Sequence, residues 1–199
     1  RWARGVIEQT GSEVVGRIEE SGITPTAGPR LVLCVAIPKG KTMELIVQKA
    51  VELGVAAVQP LVTEHTVVRL AGVDGEKKRD KWQRVALEAC KQCGQNHLPE
   101  MRAPRSLGAW LAEPSSATDR FLASLAPGAR AFREVLGEIT TPPAEVEMLI
   151  GPEGDFSAEE TEAALAAGFL PVTLGAIVLR VETAALYCLS ALRFSWPGC

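Results

Sequence analysis

Two segments of this sequence combine glycine, proline and isolated charges in patterns that could hold a small ligand. In LIGPEGDFSAEE, residues 149–160, an apolar run stops at Gly151 and is followed by Pro-Glu-Gly and an acidic stretch. In LGAIVLRVETAAL, residues 174–186, Arg180 is a single cation within an apolar run. Both segments lie at predicted strand ends, and open α/β sheets bind ligands at the carboxyl ends of their strands. Because glycine has no side chain, backbone groups can approach a flat ligand there, which favours a small-molecule site over a plain turn.

Arg180 has two interpretations, and the sequence leaves both open. Burial of an unpaired guanidinium would be costly, so one interpretation is a structural ion pair with the nearby Glu182. In the other, Arg180 points into a pocket and meets an anionic or enolate-like substrate. The chain has no convincing Ser-His-Asp arrangement and no Gly-x-Gly-x-x-Gly loop of the dinucleotide-binding type.

Two shorter motifs suggest other chemistry but fit it poorly. PKGKT, residues 38–42, ends like a phosphate-binding loop, yet the full motif needs a glycine where Val35 stands. CKQCGQNH, residues 90–97, offers one cysteine pair and His97, which is a weak signal for zinc without a second pair. The pair also ends a predicted helix, whereas a reactive thiol is favoured at a helix N-terminus. We therefore expect neither an ATP site nor a metal site.

The run KKRDKWQR, residues 77–84, holds five cations and a tryptophan within eight residues. Such a run is usually a solvated helix face. A basic face with an aromatic side chain also suits an RNA backbone, which it would bind in a salt-sensitive way. Since the net charge of the chain is −3, any contact with nucleic acid has to use a local patch of this kind.

The order of predicted elements indicates an α/β protein with a largely parallel sheet. A hairpin and a Gly/Pro/Thr linker come first, at 2–9 with 13–20 and at 21–30. Strands are then predicted at 31–37, 55–62, 120–126, 146–150 and 170–175. Helices are predicted at 41–54, 75–94, 157–168 and 181–194, where Ser157 and Glu160 form a capping box at the start of the third.

Composition places the 199-residue chain among ordinary globular proteins, with 47% hydrophobic and 23% charged residues. Its five cysteines lie mostly in apolar periodic segments, which favours reduced intracellular thiols over a disulfide framework. No apolar run approaches the 18 residues of a membrane span, so we expect a cytoplasmic protein without membrane contact. The chain begins at Arg1 rather than methionine, and we expect a further segment upstream.

Three segments of the chain carry a resemblance to a known family. LIGPEGDFSAEE, LGAIVLRVETAAL and MELIVQKAVELGVAAVQPLVTEH together resemble the RsmE family, in register over residues 30–195. The resemblance implies methylation of uridine N3 in 16S ribosomal RNA with S-adenosyl-L-methionine as the donor. It also implies the SPOUT fold, an α/β domain with a C-terminal trefoil knot, at 29–199. By the same resemblance, residues 1–24 are a remnant of an N-terminal PUA-like β domain.

The resemblance also assigns site residues. The catalytic pair would be Arg180 and Glu182, with Arg180 placed to stabilise negative charge that spreads over the uracil oxygens when N3 loses its proton. The cofactor-binding residues would be Leu125, Ile150, Gly151, Pro152, Glu153, Gly154, Leu174, Gly175, Val178, Leu179, Arg180, Thr183 and Ala184. The RNA-binding residues would be His65, Arg69, Lys77, Lys78, Arg79, Lys81, Arg84, Lys91, Gln92, Gln95 and Asn96.

Four positions depart from the pattern that the family often shows. Asp155 stands where a third glycine is common, and Ile177, Gln95 and His65 stand where arginine is common. The resemblance further implies a homodimer that acts on 16S rRNA in the assembled small subunit. Two alternatives stay open: a methyltransferase of the same class acting on tRNA or a ribose 2′-hydroxyl, and a non-catalytic RNA-binding module.

Overall fold

The computed structural model describes residues 2–25, 28–66 and 73–196. The described residues form two sheets and six α-helices. Their order is β1 Trp2–Gln9, β2 Val15–Gly22, β3 Arg30–Ala36, α1 Thr42–Glu52, β4 Ala57–Val62, α2 Val73–Cys93, β5 Glu100–Met101, β6 Arg105–Ser106, α3 Leu107–Leu111, β7 Asp119–Ala123, β8 Arg130–Ala131, α4 Phe132–Glu138, β9 Glu145–Ile150, α5 Ala158–Ala166, β10 Leu170–Thr173 and α6 Val181–Ser195. Within these residues, no helix is both long and apolar enough to cross a membrane.

The large sheet confirms the prediction of a mostly parallel α/β fold. Its strand order is β5, β4, β3, β9, β7, β10, β8, with β6 also paired to β4, and the pairings between its strands are parallel. In a parallel sheet the carboxyl ends of all strands lie at one edge. The loops that follow β9, β7 and β10, three neighbouring strands, therefore meet at that edge.

Both faces of the sheet are covered, which explains why the central strands read as continuous apolar runs. Every residue of β3 after Arg30 is buried. One face packs against α1, α2, α4 and α6 through side chains such as Ile46, Trp82 and Leu189. The other packs against α3 and α5 through Trp110 and Ala164. The capping box predicted for α5 is present, with Ser157 Oγ accepting from Glu160 N.

The hairpin of β1 and β2 forms a separate antiparallel sheet. Nearly all of its side chains are exposed, among them Ile7 at 64% and Ile18 at 67%. Ion pairs of Arg4 with Glu20 and of Arg17 with Glu8 join its strands. An isolated hairpin is marginally stable in water, and the exposed apolar side chains leave it without a core of its own.

Candidate functional site

Three loops at the carboxyl edge of the sheet enclose a cavity of about 460 Å³. They follow β7, β9 and β10, so each supplies the backbone just after a buried strand. The first turn of α6 closes the wall with Val181 and Ala184. This volume is typical of a pocket for a small organic ligand.

Twelve of the thirteen positions expected to bind a cofactor line this one cavity. Thr183 does not line it, and neither does Glu182, the second expected catalytic residue. Helix geometry explains the difference, because residues three or four apart share a face. Val181 and Ala184 point one way along α6, so residues 182 and 183 point elsewhere.

A tight turn at residues 152–155 forms one side of the cavity. Asp155 N donates to Pro152 O at 3.0 Å, and Asp155 adopts φ of 60°, the left-handed conformation. That conformation favours glycine but tolerates aspartate, and the Asp155 carboxylate accepts a bond from Phe156 N at 2.8 Å. The turn therefore keeps its shape with aspartate at this position.

Gly151 has a packing reason as well as a ligand-facing position. A Cβ atom there would lie 3.0 and 3.1 Å from the ring of Phe156, which is buried. The interpretation of this glycine as simple access for a ligand is thus incomplete. Gly175, on the opposite loop, differs: its φ is 125° and a Cβ would meet nothing within 4 Å, so backbone conformation sets its identity.

The turn is hydrogen-bonded to both neighbouring loops. Glu153 accepts a bond from Lys39 N, in the loop after β3, at 3.3 Å. His65 Nδ1, in the loop after β4, lies 2.8 Å from Asp155 O. The bond to this carbonyl raises the pKa of His65 above its ordinary value, with smaller contributions from Glu64 and Glu160. The carboxylate of Glu153 in the GPEG motif thus holds the neighbouring loop after β3, which is one structural role for this residue.

Arg180 lies on the cavity wall and ends the loop before α6. The side chain is exposed rather than buried, and it pairs with neither Glu182 nor any other carboxylate of the described chain. Of the two interpretations of Arg180, the structural ion pair with Glu182 is therefore wrong. The guanidinium remains available to a bound molecule.

Five expected RNA-binding cations lie together on α2: Lys77, Lys78, Arg79, Lys81 and Arg84. Two of them are already paired, Arg79 with Glu76 and Asp80, and Lys81 with Glu44. The interpretation of this run as a basic face with an exposed aromatic side chain fails at Trp82, which is 4% exposed and packs in the core. Arg69 lies outside the described residues.

Four more of the expected RNA contacts do not meet the cavity. The last turn of α2 contains Lys91 and Gln92, and Gln95 and Asn96 come just after it. This stretch lies at the edge of the sheet where the strands begin, since Glu100 N bonds to Ala56 O just before β4. Asn96 Nδ2 donates to Thr24 Oγ1 there, at 3.2 Å. In one chain, this stretch and the cavity lie at opposite edges of the sheet.

The pair Cys90 and Cys93 lacks further metal ligands among the described residues. Cys90 is buried and its burial raises the pKa of the thiol, while Cys93 is exposed. Among the residues that the structure describes, no group of three or more His, Cys, Asp or Glu side chains is placed to hold a metal ion.

Five further residues line the cavity without having been predicted: Ala123, Ser124, Asp155, Ile177 and Val181. Asp155 and Ile177 lie inside the two motifs at 149–160 and 174–186, so the sequence could have identified them as lining residues. For Ser124, the only sequence feature that pointed to the cavity was its place near the end of a predicted strand. Ile177 and Val178 are 77% and 70% exposed, and they give the mouth of the cavity an apolar rim.

Comparison with known proteins places the chain in a family. The model of the RNA methyltransferase domain matches residues 26–193. The ribosomal RNA small subunit methyltransferase E of Synechocystis is 32% identical over 166 residues, which cover 82% of this chain and 52% of that protein. The chain thus spans about half the length of this curated relative.

Two solved structures agree in fold and show what those proteins bind. A methyltransferase of Legionella pneumophila in complex with SAM is 36% identical, covers 95% of this chain and 76% of its own, and gives a TM-score of 0.84. A ribosomal RNA small subunit methyltransferase E of Neisseria gonorrhoeae, bound to S-adenosyl methionine, is 30% identical, covers 92% and 73%, and gives 0.80. The chain belongs to the RNA methyltransferase domain family, and within it to the small subunit methyltransferase E (RsmE) group.

Proposed function

We propose that this chain binds S-adenosyl-L-methionine in the cavity and transfers its methyl group to N3 of a uridine in 16S ribosomal RNA. The observation that carries the proposal is the convergence of twelve expected cofactor positions, from three separate loops, on one cavity. The residues present fit such a ligand, since the cavity is lined mostly by glycines and apolar side chains, with Glu153, Asp155 and Arg180 as its charged members. The solved relatives with bound SAM support the same assignment.

The cofactor supplies an electrophilic methyl group, and the protein has to align the acceptor with it. The loop backbones of residues 150–154 and 174–179 would orient the cofactor. Arg180 would hold the uracil, because its unpaired guanidinium can stabilise the charge that develops on the carbonyl oxygens as N3 loses its proton. The base has to leave its stack to reach the cavity, and the exposed apolar side chains of Ile177 and Val178 offer it a contact surface.

We propose a trefoil-knotted path for the C-terminal part of the chain, within a SPOUT domain at 29–199. The path of α6 supports this proposal. After β10, near one end of the sheet, the chain runs back so that α6 packs against α1, β3 and β9. It therefore has to pass the loops that follow β7 and β9.

We likewise propose that 1–24 belongs to a PUA-like β domain, since its hairpin exposes nearly all its side chains.

We propose a homodimer that uses α6. Phe194 and Tyr187 on this helix are 90% and 48% exposed, which is more apolar surface than the cavity requires. A partner could also bring the Lys91–Asn96 stretch to a cavity that it does not reach within one chain. Light scattering at micromolar concentration should give twice the monomer mass, and a monomer there would contradict the proposal.

Two measurements test the proposed activity. Calorimetry should detect S-adenosylmethionine binding, and a chain that fails to bind it would have to be a non-catalytic RNA-binding module. Mass spectrometry of rRNA nucleosides from a deletion strain should show the loss of 3-methyluridine, restored by the wild-type gene. Loss of a 2′-O-methylated nucleoside, or of a tRNA modification instead, would assign the enzyme to one of the alternative substrates.

A further inference from the structure

The geometry points to His65 as a positioning residue, which fixes the 152–155 turn of the cavity wall through its hydrogen bond to the Asp155 carbonyl. This inference rests on the proposed function, because it gives the turn a role in cofactor binding. It also gives His65 a role other than the expected RNA contact.

The contact between His65 and the turn is close and specific. Nδ1 lies 2.8 Å from the carbonyl oxygen of Asp155, which only accepts, so Nδ1 carries the proton. The imidazole also packs against Gly154, where an added Cβ would lie 3.4 Å from His65 Cβ and Cγ. A second bond joins the same two regions, from Glu64 N to Glu160 Oε1 at 2.9 Å. The loop after β4 is thus tied both to the connection between β9 and α5 and to the first turn of α5.

The His65 bond adds to what holds the turn, because Asp155 adopts a left-handed conformation that aspartate tolerates but glycine prefers. Asp155 is the one non-glycine residue with positive φ in the described chain, and such backbone persists where its surroundings determine it. If the His65 bond is lost, the turn can relax towards other conformations. A ligand that needs the original turn then binds with an affinity reduced by the fraction of molecules that have lost it.

The protonation of His65 gives this role a pH dependence. The charged groups that act on the imidazole are Glu64 on its own loop and Glu160 on α5, beside the Asp155 carbonyl that accepts its hydrogen bond. These surroundings favour the imidazolium, and the raised pKa means that the turn is held most firmly below it. As pH rises through that pKa, the charge-assisted bond becomes a neutral one, which is about half as strong.

Cofactor affinity in four variants tests the inference. His65→Ala removes the donor and should weaken binding about three- to tenfold, the usual worth of one net hydrogen bond. His65→Asn places an amide donor near the position of Nδ1 and should keep affinity within about twofold. His65→Gln places its amide one bond further out and should behave like the alanine variant. His97→Asn, at the other edge of the sheet, is the control.

The pH profile separates a hydrogen bond from a general structural effect. Wild-type affinity should fall a few-fold as pH rises through the His65 pKa, and His65→Asn should show no such change. Since the chain has two histidines, His97→Asn should keep the wild-type profile. Equal losses in His65→Asn and His65→Ala, equal affinities in all variants, or a pH dependence that disappears with His97 would each overturn the inference.

Hydrogen exchange without cofactor separates this inference from the proposed function. The amides of Asp155 and Phe156, both hydrogen-bonded in the turn, should exchange about three- to tenfold faster in His65→Ala than in wild type or His65→Asn. If no variant binds S-adenosylmethionine but this pattern holds, the proposed function fails and the positioning of the turn by His65 stands. Unchanged exchange in His65→Ala overturns the positioning role itself.

Discussion

Arg120 and Arg180 are two cations on one parallel sheet with opposite surroundings. Arg120, on β7, lies over the ring of Phe169 at 4.2 Å, donates to Ala167 O and pairs with Glu147 at 2.7 Å. Its side chain is 13% exposed, and that of Glu147 is 6% exposed. Arg180, beyond the carboxyl end of β10, is exposed on a cavity wall and has no carboxylate partner in the described chain.

The difference separates a cation whose charge is already neutralised inside the protein from one whose charge is free to meet a ligand. Arg120 belongs to a polar group near the start of the strands, where Ser115 also donates to Glu147 and Arg30 pairs with Glu145. Each charge in this group already has its counter-charge, so a ligand would have to displace a protein contact. Arg180 needs no such exchange, because its guanidinium can bind a ligand oxygen directly.

The largest expected effect is on stability, from breaking the paired group. Glu147→Ala leaves Arg120 buried without its counter-charge and should lower the free energy of unfolding by about 3–5 kcal/mol. Urea denaturation measures it. The double variant Arg120→Met with Glu147→Leu should recover most of the loss, because apolar replacement of a buried pair is often neutral.

An exposed pair supplies the control for this prediction. Arg130 and Glu138 also form an ion pair, at the surface, so Glu138→Ala should change stability little because solvent screens such pairs. If Glu147→Ala is as mild as Glu138→Ala, burial does not distinguish the two regions. The comparison between Arg120 and Arg180 would then lose its basis.

Arg180→Ala should have the next largest effect, on turnover rather than stability. Loss of an oxyanion donor typically lowers the rate by about 10²–10³-fold, and the same loss is expected here in single-turnover methylation. The melting temperature should barely change, because the side chain is exposed and the helix-starting bond from Ala184 N uses only its carbonyl. S-adenosylmethionine should still bind, mostly through backbone contacts.

Arg180→Lys serves as the matched variant for shape against charge. It should recover little of the rate, since an ammonium cannot reproduce the planar donor fork of arginine. Melting temperature and rate have to be measured on one preparation of each variant. A large stability loss with an unchanged rate would place Arg180 beside Arg120 as a structural cation.

The sequence predicted the long elements and most of the cavity wall for a definite physical reason. Buried parallel strands and amphipathic helices have periodic patterns, so β3, α1, β9 and α6 were predicted within a few residues of their observed bounds. The two glycine-containing motifs lie at strand ends, where a parallel sheet brings loops together. The family resemblance added which of their residues are expected to contact a ligand.

The features missed by the sequence depend on contacts between distant segments. The short elements β5, β6, α3, β8 and α4 hold two to seven residues each, too few to show a period. The burial of Trp82 and the pairing of Arg120 with Glu147 depend on which neighbour lies opposite. So do the bond between His65 and Asp155 and the orientation of residues 182 and 183 away from the cavity.

A smaller effect is expected at the backbone wall, from Gly151→Ala. The new Cβ would lie 3.0 Å from the buried Phe156 ring, so the turn or the ring has to shift. Cofactor affinity, measured by calorimetry, should fall about tenfold, in the range that overpacking costs. The affinity of Gly154→Ala should fall less, since its Cβ would meet His65 at an ordinary contact distance of 3.4 Å. Equal losses would show that the wall tolerates no side chain at either position, whatever the packing behind it.

The smallest effects extend the comparison of paired and unpaired cations to α2. Lys77, Lys78 and Arg84 have no ion-pair partner among the described residues, whereas Arg79 and Lys81 do. Changing the first three to glutamine should reduce the salt dependence of RNA binding by about 0.7–0.9 for each phosphate that the variant no longer neutralises.

Changing Arg79 and Lys81 to glutamine should reduce the salt dependence of RNA binding by less for each residue. Those side chains already neutralise Glu76, Asp80 and Glu44, so RNA gains less from them. Cofactor affinity should stay within about twofold in both variants, because sites that share no partner behave additively. Filter binding across a salt series gives the slopes. If the triple variant keeps the wild-type slope, α2 is a solvated face. The lack of an ion-pair partner would then not be enough to identify a functional cation on this protein.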